Sequence, residues 1–111
     1  MRSGKHNIEI ENGSTFQLNL ALTEDDGTNY NLNGYSVDMQ IRNLNGTLVL
    51  DCSPYISVIN GNEIDLNIPA SATIDIADSD GEYQIEISSG SLEYSVMRGN
   101  VSFVKAIIRW R

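Results

Sequence analysis

Apolar side chains fall on every second position through most of this chain, the spacing that places alternate residues on one face of a β-sheet. Phe16, Leu18, Leu20 and Leu22 alternate with Thr15, Gln17, Asn19 and Ala21, and Tyr35, Val37, Met39 and Ile41 with Ser36, Asp38, Gln40 and Arg42. Ile64, Leu66 and Ile68 alternate with Glu63, Asp65 and Asn67, and Tyr83, Ile85 and Ile87 with Glu82, Gln84 and Glu86. Leu92, Tyr94 and Val96 follow, and Val101 and Phe103 begin a last strand. Shorter candidates are Ile8–Ile10, Leu48–Leu50 and Ile56–Val58. Each run reads as a strand with one buried and one wet face.

The punctuation between the runs agrees. Asp26-Gly27, Asn33-Gly34, Asn45-Gly46, Asn60-Gly61, Asp80-Gly81 and Ser89-Gly90 supply residues that tolerate the positive φ of tight turns. Asn60-Gly61 and Ser89-Gly90 predict hairpins joining 55–59 to 63–68 and 82–88 to 91–98. Asn-Leu-Asn-Gly occurs twice, at 31–34 and 43–46, and predicts two similar turns. Only Pro69-Ala70-Ser71-Ala72 suggests a helical turn, near 69–73. About eight short strands in 111 residues predict an all-β, antiparallel β-sandwich forming a single domain over 1–111. A flexible lead over 1–7 and an apolar, basic segment over 105–111 flank it.

The residues that catalysis would need are scarce. His6 is the one histidine and lies in the expected flexible lead, so a Ser-His-Asp or Cys-His arrangement would hang on that imidazole. Cys52 has no basic neighbour to lower its pKa and reads as an inert, buried thiol. Asp78-Ser79-Asp80-Gly81 contains a calcium-loop fragment, but the twelve-residue frame puts Ile76 and Ile87 where ligands belong. The sequence therefore predicts a non-enzyme with no cofactor and no metal site. A surface-binding role through Tyr30, Tyr55 or Trp110, with calcium at the acidic turns 24–27 and 78–82, is the alternative, since Tyr35, Tyr83 and Tyr94 share the phase of the core.

Charge is distributed unevenly. The net charge is −8, which repels a phosphate backbone and argues against nucleic acid as a partner, and no apolar run approaches the length of a membrane span. Between His6 and Met97 lie all fifteen acids and one base, Arg42, which is expected to pair with a carboxylate. The other bases sit near the ends: Arg2 and Lys5, then Arg98, Lys105, Arg109 and Arg111. Ile107, Ile108 and Trp110 are interleaved with the last of them. Either these residues complete a last strand on the domain's own sheet, or they dock on a neighbour whose acidic body meets the basic end. The expected interface is therefore Arg2, Lys5, Arg98, Lys105, Ile107, Ile108, Arg109, Trp110 and Arg111, with a second copy as partner.

The order of these signatures also resembles a known group. Gly13-Ser14-Thr15-Phe16-Gln17-Leu18 is followed by Asp26-Gly27, then Asn31-Leu32-Asn33-Gly34-Tyr35 and a strand ending Met39-Gln40-Ile41-Arg42. Glu82-Tyr83-Gln84-Ile85-Glu86-Ile87 precedes a hairpin, and Met97-Arg98-Gly99-Asn100-Val101 leads into the last strand. This resembles the small immunoglobulin-like β-sandwich structural proteins of tailed-bacteriophage virions, including the N-terminal domain of siphophage upper baseplate proteins. The resemblance covers about Ile8 to Val104 and identifies no catalytic residue. It implies a virion protein of the tail, baseplate or neck, or a head decoration, made in the bacterial host cytoplasm. Its partners would be itself and other virion proteins, with neither nucleic acid nor membrane among them. A glycan- or surface-binding module is the alternative function.

Overall fold

The computed structural model describes residues 4–77 and 79–105. Arg2, Asp78, Ile107, Ile108, Arg109, Trp110 and Arg111 lie outside the described residues. Among the described residues nine strands run in chain order: β1 (Gly4–Lys5), β2 (Ile8–Asn12), β3 (Phe16–Ala21), β4 (Ser36–Asn43), β5 (Leu48–Asp51), β6 (Ile56–Ile59), β7 (Glu63–Ile68), β8 (Asp80–Ser89) and β9 (Leu92–Lys105). Single 3₁₀ turns stand at Ser53–Tyr55 and at Ala70–Ala72, the second where the proline and alanines predict it.

The strands form two sheets. One has the order β1-β9-β8-β4-β5, with β2 also on β9, and the other has the order β3-β7-β6. Both predicted hairpins form, β6–β7 around Asn60-Gly61 and β8–β9 around Ser89-Gly90. The sheets therefore carry β5-β4-β8-β9 in the places of strands C′, C, F and G of an immunoglobulin sandwich, and β3-β7-β6 in those of B, E and D. The chain is an immunoglobulin-like, all-β sandwich. Its core is built from the inward rows of β2, β4, β7, β8 and β9: Ile10, Met39, Ile41, Ile64, Leu66, Ile68, Ile85, Ile87 and Val101 are all buried.

Three sequence expectations change here. The sandwich is not wholly antiparallel, because β1 and β2 both run parallel to β9. A parallel pair needs a long connection between its strands, and here the whole domain is that connection. Of the lead expected to be flexible over 1–7, Gly4–Lys5 is already a strand, and the His6 N–H donates to the Arg98 carbonyl at 3.0 Å. Finally, the runs at 92–96 and 101–103 belong to one fourteen-residue strand. Their apolar residues have opposite parity because the β8–β9 register shifts between Ile85 and Glu86, which face Met97 and Ser95 and leave Val96 as an extra residue. A β-bulge with one additional residue turns the following side chains to the other face, so both halves reach the core.

Candidate functional site

On the outer face of the larger sheet, β1, β9, β8 and β4 align a row of polar side chains. Lys5 pairs with Arg98, Arg98 with Gln84, and Gln84 with Gln40. One step along, Arg42 faces Glu82, and Glu82 faces Asn100. These two rows line an open groove of about 480 Å³, closed at one end by Leu44 and Gly46 of the β4–β5 turn. The groove gathers Lys5, Arg42 and Arg98 against the one acid Glu82, in a chain whose net charge is −8.

Local chemistry explains how Arg42 is held. Its guanidinium donates to the Gly46 carbonyl and to the Gln40 amide oxygen, both at 2.9 Å. The expected carboxylate partner is thus replaced by a turn carbonyl and a neighbouring amide, since residues two apart on a strand share a face. The turn is itself fixed by the Asn43 side chain, which accepts from the Asn45 and Thr47 N–H groups at 3.0 Å. Leu44 is left 69% exposed beside the groove, and Leu48, in register with Arg42, is 46% exposed. The result is a cationic and amide-lined hollow with an apolar lip.

Of the expected interface residues, Lys5 and Arg98 are brought side by side, while Lys105 ends β9 opposite Asn12. Seven residues of strand separate Arg98 from Lys105, about 23 Å at the usual rise. Arg42, Gln40 and Gln84 were not among the expected interface residues. Their common outward parity was visible in the sequence, but the register that aligns them was not. Chemically the groove offers hydrogen bonds and cations to carboxylates, and its lining contains no His, Cys or Ser.

Other expected features fall elsewhere. Cys52 is fully buried, and burial pushes its thiol up to about 12. Tyr30 and Tyr55 are half-buried rather than open, and the Tyr30 hydroxyl lies 3.2 Å from that of Tyr35, with ring centroids 5.9 Å apart. The Asp26 carboxylate accepts from the Thr28 N–H at 3.0 Å and hydroxyl at 2.6 Å, which holds its pKa below the usual value. That acid stabilises its own turn.

No family model matches the chain, and no curated protein matches it. Among solved structures it is similar to the extracellular fragment, including the stalk region, of novel immune-type receptor 11 from Ictalurus punctatus. The identity is 14%, over 93% of this chain and 86% of that one, with a TM-score of 0.45.

Proposed function

We propose that this protein is a non-enzymatic structural component of a tailed-phage virion, in the tail, baseplate or neck or as a head decoration. It works by presenting sheet edges and charged terminal segments to copies of itself and to other virion proteins. The observation that carries this reading is the pairing of β1 with β9 in the larger sheet. There Lys5 and Arg98 converge with Arg42 into a cationic hollow on an otherwise acidic body. A basic hollow on a chain of net charge −8 suits carboxylates on the surface of another copy.

The surface-binding alternative relied on aromatic residues open to a sugar ring, and Tyr30 is instead stacked at a tilt on Tyr35. Light scattering across concentration and salt tests the assembly reading. A discrete oligomer that loosens as salt rises supports it. A monomer at every concentration and salt level, with no binding to other virion proteins, overturns it.

A further inference from the structure

The smaller sheet is open along β3. Among the described residues, β3 pairs with β7 on one side and with no strand on the other, because β1 and β2 lie on β9 in the opposite sheet. An edge of this kind presents a row of backbone N–H and C=O groups that can template another strand. The side chains show the same incompleteness. Phe16, Leu18 and Leu20 face inward in register with Ile68, Leu66 and Ile64, which are 0%, 1% and 1% exposed, yet they are themselves only half-buried. The apolar layer stops one strand short. On the outer face, one strand in from this edge and across from Asn19 and Ala21, β7 carries Asp65 and Glu63.

Residues 106–111 have the complementary pattern. In an extended strand, Ala106, Ile108 and Trp110 share one face, while Ile107, Arg109 and Arg111 share the other. The segment has six residues, and so does β3. Resting on the assembly reading above, we propose that residues 106–111 of one copy add as a fourth strand to the free edge of β3 in a second copy. Ile108 and Trp110 then extend the layer of Phe16, Leu18 and Leu20, and Arg109 and Arg111 reach across β3 toward Asp65 and Glu63.

The occupant is a second copy because of where β9 leads. Lys105 is in register with Asn12, at the point where the chain leaves β2 and crosses to β3. That crossing uses Gly13 at φ 82°, a left-handed conformation that glycine adopts readily. Residues 106–111 contain no Gly, Pro, Asn or Asp with which to make a second such reversal. Edge and segment are different surfaces, so the contact is head-to-tail and gives a ring or a filament. Strand addition of this kind draws affinity from main-chain hydrogen bonds and specificity from alternate side chains.

The test uses the full chain carrying Asn19→Cys and Arg109→Cys, both on the outward face of the proposed pair, with buried Cys52 left in place. Mild oxidation followed by non-reducing electrophoresis is expected to give a ladder of dimers and larger species. Adding Ile108→Asp is expected to reduce that ladder at least about tenfold. Cross-linking confined to single chains means the segment folds onto its own β3, and overturns the proposal. Absence of any cross-link also overturns it. If light scattering on the unmodified chain still finds a salt-sensitive oligomer, assembly stands and only the strand addition has failed. If it finds a monomer that also binds no other virion protein, both readings fail.

Discussion

The hydroxyl of Tyr83 in β8 donates to the carbonyl of His6, joining residues 77 positions apart across the intervening β9. The two groups meet across Gly99, which stands opposite Tyr83 in β9. The carbonyl lies between β1 and β2, and the phenol supplies its donor. The N-terminal strands are thereby tied to the centre of the larger sheet, and Lys5 is fixed beside Arg98.

Replacing Tyr83 by Phe keeps the ring in the core and removes the donor. A loss of about 1–2 kcal/mol in unfolding free energy is expected, read by urea titration. Amide exchange at residues 4–7 should rise in the same variant. Unchanged protection there would show that the hydroxyl does not hold the N-terminal strand.

Gly99→Ala tests the other half of the contact. A Cβ at this position would overlap the His6 carbonyl, a backbone atom that cannot rotate away. Displacing it should cost about 1–3 kcal/mol in thermal or chemical melts. A variant as stable as the parent would mean that the N-terminal strand shifts freely.

Thr73 is fully buried and its hydroxyl accepts from the Gly13 N–H at 3.0 Å, closing the crossing from β2 to β3. Thr73→Val preserves shape but leaves that buried N–H without its acceptor. The expected destabilisation is about 1–3 kcal/mol by urea titration, and a change below about 0.5 kcal/mol would count against the bond.

Cys52 gives a pH-dependent prediction. Its thiol is pushed up to about 12 by burial, with the Asp51 charge adding, against an ordinary value of 9.0. Above pH 9 the unfolded chain therefore releases a proton that the folded chain retains, and the folded state loses ground as pH rises toward 12. The slope from this group is about 1.4 kcal/mol per pH unit. Tyr83, also raised by burial, acts in the same direction at higher pH. Cys52→Ala should flatten the alkaline stability curve relative to the parent, measured by urea midpoints from pH 8 to 11. Parallel curves would show that the thiol ionises equally in both states.

The two Asn-Leu-Asn-Gly segments provide a matched pair. Leu32 is 2% exposed and Leu44 is 69% exposed. Leu32→Ala should cost about 2–5 kcal/mol, while Leu44→Ala should stay within about 0.5 kcal/mol. Equal effects in denaturant melts would contradict the difference in burial.

Strand positions and turns were largely legible because they depend on near neighbours. Period-two alternation marks β3, β4, β7 and β8, and Asn60-Gly61 closes the hairpin it predicts. The phase reversal within β9 was readable only as two separate runs, since the bulge at Val96 is defined by pairing with β8. The cationic groove was hidden for the same reason. Lys5, Arg42 and Arg98 are far apart in sequence and are aligned by register across four strands.

The repeated tetrapeptide separates the two kinds of information. In both copies the first Asn side chain accepts from the N–H two residues on, and the Gly takes positive φ, 82° at Gly34 and 86° at Gly46. Those features involve only adjacent residues, so the sequence alone determines them. The fate of the leucine is not local. The Leu32 N–H donates to the Gly61 carbonyl of the β6–β7 hairpin, which brings its side chain into the core, whereas Leu44 sits on a turn beyond the sheet's outer face. A turn's geometry follows from its own backbone and side-chain hydrogen bonds, but burial depends on what the rest of the chain places against it.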